Sequence, residues 1–258
     1  MKKCLYVFIG LVLMALTLAD VVIADEMTIT FASEEWKDAT HSDGTGLYWD
    51  IFRAVFEPEG YTVKVKKQSY DASVKMVEQK VVDAMVGAYE EEIEDGTYPA
   101  NHFAVDVVQA VYKNDRLSQW KGLESIMNST VAWIKGYSYD DYFSEEITTT
   151  LKIRRMNDRD AIFRLFDVGK LDFYIDAKAD ITDFFNTHTD QYQASFFNRQ
   201  TLLELKLFVV FTKDERGEKL AAIFDRSMED LLKRGEIRKL YDKYAHATFQ
   251  YPSDFLKK

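Results

Sequence analysis

A run of carboxylates beside an aromatic residue is the segment of this sequence best suited to bind a ligand. Tyr89 precedes the run 90–95, Glu-Glu-Glu-Ile-Glu-Asp, and Gly96 follows it. Aromatic faces beside carboxylates attract an ammonium group, because the ring face and the carboxylate both present negative charge. Such a run is also typical of a solvated acidic loop. Both interpretations stay open at this point.

A second candidate for ligand contact is the turn Gly136-Tyr137-Ser138. It follows the strand-like segment 131–134 and precedes the segment 139–143, which we expect to open a helix. Backbone N–H groups at a helix start can bind a polar or anionic group. A plain turn between a strand and a helix explains the pattern equally well.

Other kinds of chemistry have little support. The four histidines are scattered without a pair at metal-ligand spacing, so no metal and no cofactor are predicted. Neither a Gly-x-Ser-x-Gly elbow nor a Gly-x-x-x-x-Gly-Lys phosphate loop occurs. We therefore expect a protein that is not an enzyme and has no catalytic residues. The abundant carboxylates leave an acid/base enzyme open as an alternative.

The segment 1–24 has the composition of a signal peptide. Two lysines precede the uncharged apolar run Leu5–Leu18, which is too short to span a bilayer comfortably. Cleavage after Ala24 would start the mature chain at Asp25, and cleavage after Ala19 is an alternative. We expect a chain exported to the periplasm.

Charge and cysteine content limit the partners and the means of stabilisation. Loss of the segment 1–24 would change the formal charge from −10 to −11 and would remove Cys4, the only cysteine. An acidic chain is repelled by nucleic acid and by anionic membrane surfaces, so neither is an expected partner. Without disulfides, folding depends on a hydrophobic core, and 47% of the residues are hydrophobic. We expect a soluble monomer.

Strand-like and helix-like segments alternate through the first part of the chain. Segments 27–32, 61–66 and 83–87 have strand character, while 47–55 and 70–81 have apolar residues at helical spacing. This order is typical of a parallel sheet with crossover helices, in which ligands bind at the carboxyl ends of the strands.

The same order repeats in the second half. A strand at 131–134 and a helix face at 161–166 lead to the segment 169–176. That segment has the basic, apolar, Asp, apolar order already present at 79–86. The repeat predicts two similar lobes.

Two extended segments, 105–112 and 205–211, bracket the second half and predict that the chain crosses between lobes twice. We expect an α/β fold in which each lobe is a mostly parallel sheet flanked by helices. Residues 25–109 and 209–258 would form lobe 1, and residues 110–208 would form lobe 2.

Four short motifs occur in a fixed order. They are Gly-Leu-Tyr-Trp-Asp-Ile at 46–51, Lys-Val-Val-Asp-Ala at 80–84, Gly-Lys-Leu-Asp at 169–172, and the closing segment 231–244 with Gly235 inside it. In sequence and order they resemble motifs of the family 3 extracellular solute-binding proteins, which are amino-acid-binding type II periplasmic binding proteins. The resemblance covers essentially the whole mature chain.

The resemblance implies a hinged receptor that closes on a small molecule and delivers it to the membrane permease of an ABC transporter. Contacts from both lobes exist only in the closed form, so a ligand shifts the open/closed equilibrium. A periplasmic sensor subunit that signals to a membrane kinase or cyclase would use the same closure. An enzyme that resembles cyclohexadienyl dehydratases is a third possibility.

The sequence departs from this family where amino-acid binders hold the ligand. The family's Thr and Arg, which bind the α-carboxylate, are absent, and the Arg position falls near Asp95. The acidic residue that binds the α-amino group is expected at Ala177, between Asp176 and Asp180. We therefore expect a cationic or polar ligand that is not a standard α-amino acid.

The predicted ligand contacts come from both lobes. By resemblance, Trp36 and Tyr70 occupy positions that often stack on the ligand, although core aromatics would fit the same pattern. The full set of predicted ligand-binding residues is Ser33, Trp36, Tyr70, Tyr89, Glu90, Glu92, Tyr137, Ser138 and Asp176.

Overall fold

The computed structural model describes residues 27–247 and 249–256, so the predicted signal peptide 1–24 lies outside the described residues. The strands are β1 (Thr28–Ser33), β2 (Thr62–Lys67), β3 (Ala84–Ala88), β4 (Gly96–Thr97), β5 (Ala104–Lys113), β6 (Thr130–Ile134), β7 (Lys152–Met156), β8 (Phe173–Ala177) and β9 (Phe197–Thr212). The helices are α1 (Leu47–Phe56), α2 (Tyr70–Glu78), α3 (Glu145–Thr148), α4 (Arg159–Asp167), α5 (Lys178–Thr187), α6 (Glu215–Lys233) and α7 (Glu236–Lys243).

Each lobe is built on a small parallel sheet. In lobe 1, β1 pairs in parallel with β2 and β3, and β3 pairs antiparallel with β9. In lobe 2, β6 pairs in parallel with β7 and β8, and β8 pairs antiparallel with β5. The strand order is β2-β1-β3-β9-β5-β8-β6-β7, with β4 at the side of β9. This architecture matches the predicted fold class.

The two lobes are joined by the long antiparallel pair of β5 and β9. The pair runs from Ala104↔Leu207 to Lys113↔Phe197. β5 contacts β8 only between Val108 and Val111. The lobe limits expected from the sequence fall inside these two strands, and the exact limits stay a prediction.

Local sequence signals explain where several helices begin and end. Ser69, Asp158 and Asp214 cap the starts of α2, α4 and α6, each by accepting a hydrogen bond from the backbone N–H of the third residue of the helix. After α1, Gly60 takes the left-handed φ of 88°, which lets the chain turn directly into β2. None of the helices in the described part of the chain has the length and apolar character needed to cross a membrane.

The repeated motif has the same structural role in both lobes. Asp83 Oδ2 accepts a hydrogen bond from Thr30 N at 2.8 Å, and Asp172 Oδ2 accepts one from Thr130 N at 2.8 Å. Each aspartate therefore fixes the start of the neighbouring parallel strand. Since this contact lies at the amino end of the strands, the motif positions the sheet and leaves the carboxyl ends free for a site.

Aromatic packing forms much of the core. Phe31 on β1 and Phe52 on α1 stack with their ring centroids 5.0 Å apart. In lobe 2, Phe163 on α4 stacks on Phe184 of α5 at 4.2 Å. Full burial of a phenylalanine side chain stabilises a fold by about 1.5–3 kcal/mol. These contacts fix the helices that carry the cavity wall described below.

Candidate functional site

A cavity of about 190 Å³ lies between the lobes at the carboxyl ends of their parallel strands. Lobe 1 contributes the loop 36–39 and residues that follow β3, and lobe 2 contributes Tyr137, Tyr139 and the start of α5. The hinge strands β5 and β9 supply the floor, and the segment 246–250 supplies one wall. Both lobes and the hinge therefore line one cavity.

Aromatic rings from the two lobes meet around this cavity. Trp36 Nε1 donates a hydrogen bond to Tyr137 Oη at 3.4 Å. The rings of Tyr70 and Tyr137 meet edge to face, with centroids 5.9 Å apart. Tyr89 and Tyr139 lie 6.4 Å apart. Because Trp36, Tyr70 and Tyr89 belong to lobe 1 and the others to lobe 2, these contacts define a closed arrangement of the lobes.

Gly87 allows Trp36 to lie against the backbone of β3. A Cβ atom on Gly87 would come within 2.5 Å of the Trp36 ring, and the φ of Gly87 is 93°. Only glycine combines that φ with so close an approach. The position of the indole in the cavity is therefore set by the backbone of the sheet.

Two carboxylates face the cavity, Glu92 of lobe 1 and Asp106 of the hinge strand β5. Each accepts a hydrogen bond from a tyrosine hydroxyl. Asp106 on β5 accepts a hydrogen bond from Tyr89 Oη at 2.8 Å. Burial raises the pKa of Asp106 to about 6; the hydrogen bond from Tyr89 opposes this shift and the charge of Asp176 adds to it. Glu92 accepts from Tyr70 Oη at 2.6 Å and from Tyr89 N at 2.9 Å, and burial raises its pKa.

Asp176 lies behind the cavity wall in lobe 2 and is fully buried. Its carboxylate accepts hydrogen bonds from Arg159 Nε at 2.9 Å, Ala177 N at 2.8 Å and Tyr139 Oη at 3.3 Å, and also from Tyr174 Oη. All of these donors belong to lobe 2. The cluster holds the end of β8 and the start of α5 in place.

Asp180 brings a further carboxylate to the cavity from the first turn of α5. Its Oδ1 lies 3.2 Å from Arg159 Nη2. Burial raises the pKa of Asp180 to about 8; Arg159 opposes this shift, and the charge of Asp176 adds to it. The Arg159 guanidinium is therefore shared between two carboxylates.

An ion pair joins the lobes at the edge of the cavity. Lys37 Nζ, in the loop after β1, lies 2.6 Å from Asp183 Oδ1 on α5. Both side chains are more than one-third exposed. Solvent screens such a pair, so its stabilising effect is small and falls with added salt.

The segment after α7 closes one side of the cavity. The rings of Phe249 and Tyr48 lie 5.6 Å apart, and His246 Nε2 lies 3.6 Å from Asp38 Oδ1. Further along the chain, Asp254 Oδ1 lies 3.2 Å from His102 Nε2, and this pair also holds the segment in place. This wall was not predicted from the sequence.

The predicted ligand contacts divide into two groups. Five line the cavity: Trp36, Tyr70, Tyr89, Glu92 and Tyr137. The other four, Ser33, Glu90, Ser138 and Asp176, are absent from the lining.

The four residues outside the lining have different surroundings. Ser33 is buried and donates its hydroxyl hydrogen bond to Glu34 O at 2.8 Å. Glu90 is exposed, Ser138 is half-buried at the start of a 3-10 turn, and Asp176 is buried in the cluster described above. Direct ligand contact by these four residues stays a prediction.

Sequence reasoning missed Asp106 and Tyr139 as site residues and considered Asp180 only as a residue next to the expected position. A signal for Asp106 was present, because it is the one charged residue within the apolar stretch 104–108 of the expected hinge strand. No comparable local signal pointed to the segment 246–250. Within residues 27–247 and 249–256, no group of three His, Cys, Asp or Glu side chains is arranged to hold a metal ion.

No family model and no curated protein matches the chain. Solved structures do match its fold. One, from work on glutathione import via GshT and the cystine ABC importer TcyBC of Streptococcus mutans, is 17% identical, covers 89% of this chain and 99% of its own, and has a TM-score of 0.69. A mutant of ArgBP from T. maritima is 15% identical, covers 87% of this chain and 97% of its own, and has a TM-score of 0.66.

The ligand-binding core of GluR0 in complex with L-glutamate is a third match. It is 14% identical, covers 84% of this chain and 97% of its own, and has a TM-score of 0.67. At these identities the matches establish the fold. The predicted two-lobed α/β fold of the type II periplasmic binding proteins is confirmed.

Proposed function

We propose that this chain is an extracytoplasmic solute-binding protein whose lobes close on a small polar ligand. The observation that carries the proposal is the cavity between the lobes, which is lined by rings from both lobes and by residues of the hinge. A ligand in this space contacts both lobes at once, so its binding favours the closed form. The matched fold supports this function, since ArgBP and the GluR0 core share it.

The ligand is not a standard α-amino acid. No arginine lines the cavity in the described part of the chain, and the basic residues in the lining are Lys37, Lys178 and His246. Lys37 is already paired with Asp183. The position where the family carries its Arg falls near Asp95, which is 75% exposed and pairs with Lys213. An α-carboxylate in this cavity would therefore lack a bidentate partner.

The proposed function includes export of the chain and delivery of its ligand to a transporter. The expected signal peptide directs the chain to the periplasm, and the closed form delivers its ligand to the membrane permease of an ABC transporter. Adjacent genes for a permease and an ATPase would support transport. An adjacent gene for a membrane kinase or cyclase would favour the sensor alternative, and turnover of prephenate or arogenate by the pure protein would establish an enzyme.

A thermal-shift screen of the chain 25–258 tests the binding function. We expect a polar or cationic compound without a carboxylate to give the largest rise in Tm. At a ligand concentration of 100 times Kd the gain is about 2.7 kcal/mol, or roughly 5–10 °C for a protein of this size. Acidic amino acids and dicarboxylates serve as the comparison set. The largest shift with acidic amino acids would contradict the proposed ligand type, and no shift with any small molecule would contradict the binding function.

A further inference from the structure

Asp106, on the cavity floor, is a lining carboxylate without a positively charged partner among the described residues, as is Glu92 on the lobe 1 side. Asp180 is paired with Arg159 and Asp183 with Lys37. Asp106 accepts hydrogen bonds from the neutral phenol of Tyr89 and from the backbone at Val107, and neither donor carries a charge. Asp106 is half-buried, and a carboxylate withdrawn from water in this way is destabilised unless a cation or further donors approach it.

The space next to Asp106 is lined by aromatic rings. Tyr89 and Tyr139 lie 6.4 Å apart, and Tyr139 is 5.8 Å from Tyr137. Trp36 completes this wall through its hydrogen bond to Tyr137. Aromatic faces around a carboxylate stabilise an ammonium ion through cation–π attraction, which is stronger where water is excluded.

The helix end at the cavity is unsuited to an anion. A helix start such as that of α5 usually attracts negative charge through its free N–H groups. Here no side chain caps the helix, but the Asp176 carboxylate binds the N–H of the N-cap residue Ala177, and Asp180 lies in the first turn. The positive end of the helix is therefore already compensated by the Asp176 carboxylate, and the raised pKa of Asp180 indicates that a further negative charge here is unfavourable.

We propose that the ligand is an organic ammonium ion without a carboxylate, held by Asp106 on the hinge strand and by the rings of Trp36, Tyr89, Tyr137 and Tyr139. The assignment rests on the proposed function and names the ligand class of the same cavity. Because β5 joins the lobes, neutralisation of Asp106 by the cation couples recognition to closure at the hinge.

The affinity for such a cation depends on pH. The pKa of Asp106 is raised to about 6, so the carboxylate is ionised at pH 7.5 and protonated at pH 5. The titratable groups that interact with it are Tyr48 and Tyr89 from lobe 1 and Tyr139, Asp176 and Asp180 from lobe 2. Arg159 lies beyond them and pairs with Asp176 and Asp180. Proton and cation compete for the same oxygen atoms, so affinity falls as the pH decreases through this range.

Isothermal titration calorimetry of the chain 25–258 at pH 7.5 tests the assignment. The probes are tetramethylammonium, choline and putrescine, with 3,3-dimethyl-1-butanol as the neutral isostere of choline and trimethylglycine as a carboxylate-bearing comparison. We expect at least one of the cations to bind. If that cation is choline, it should bind about tenfold or more tightly than its neutral isostere. Asp106→Asn should weaken binding of the best cation at least about 30-fold.

Asp95→Asn is the matched control, because it removes the same charge from an exposed loop outside the cavity. It should leave affinity within about twofold, as expected for a screened surface charge. Wild-type affinity for the best cation should fall between pH 7.5 and pH 5, and this fall should be smaller in Asp106→Asn. Thermal melting of each variant establishes that it is folded.

Unchanged cation affinity in a folded Asp106→Asn variant would overturn the assignment. Binding of the neutral isostere or of trimethylglycine as tight as that of the best cation would overturn it too. In either case the proposed binding function would stand, because a small molecule would still be bound. Failure of every compound in the thermal-shift screen would instead contradict the binding function itself.

Discussion

Asp176→Ala is expected to lower the free energy of unfolding by about 3–5 kcal/mol, the cost of removing one partner from a buried ion pair. Asp176 is fully buried and accepts hydrogen bonds from Arg159, Ala177 and two tyrosines. Its loss leaves the Arg159 guanidinium, one-quarter exposed, with the Asp180 carboxyl and the Tyr174 hydroxyl as remaining partners. It also leaves two buried phenols without their acceptor.

Urea unfolding followed by circular dichroism measures this loss. Asp190→Ala is the control, because Asp190 is exposed in the same lobe, and its effect should stay within about 0.5 kcal/mol. A loss of less than about 1 kcal/mol in Asp176→Ala would mean that the cluster does not hold β8 and α5 together. The structural role described for Asp176 would then be wrong.

Trp36→Ala is expected to weaken binding of the best ligand at least about 30-fold, as for an aromatic anchor in a desolvated pocket. The indole lies against Gly87 and donates a hydrogen bond across the cleft to Tyr137. The substitution removes a ring face from the ligand. It also removes an interlobe contact, so the closed form loses stability as well.

Trp120→Ala provides a matched change away from the cavity. Trp120 stacks on Tyr112 in lobe 2, with centroids 5.7 Å apart, and does not line the cavity. This variant should lower the Tm and leave affinity within about twofold. Calorimetry on both variants measures the difference. Equal affinities for wild type and Trp36→Ala would remove Trp36 from the site.

The fold could be predicted because it follows from local periodicity and from a repeated motif. The apolar spacing of α1, the alternation of β2 and the Asp83 and Asp172 motifs each act over a few residues. The extent of β9 was harder to predict. Its first half, from Phe197, is half-buried or exposed and contains polar residues. The hinge strand expected from the sequence therefore began only at residue 205.

The segment 139–143 shows how tertiary packing overrides a local helix pattern. It forms the 3-10 turn Tyr139–Tyr142, and the four-residue helix α3 follows. Tyr139 is 1% exposed and directs its hydroxyl to Asp176, so it serves as part of the cavity wall. A contact with a residue 37 positions away has no trace in the local pattern.

The site could be predicted only in part, because its residues come together from distant parts of the chain. Trp36, Tyr70 and Tyr137 were found through resemblance and through a turn pattern, and all three line the cavity. Asp106 and the segment 246–250 enter the cavity through the path of the hinge strand and of the chain after α7. Neither path is encoded in the spacing of nearby residues.

The central claim is that the two lobes close on a ligand, and a distance between the lobes tests it directly. The chain 25–258 has no cysteine, so spin labels can be attached to the pair Lys66→Cys and Arg154→Cys, which are exposed on β2 and β7 at the outer edges of the two lobes. Double electron–electron resonance then compares the labelled protein with and without its best ligand. We predict a broad distribution that narrows to a single shorter distance when the ligand is added; an identical distribution in both samples, at a ligand concentration that saturates binding, would contradict the claim.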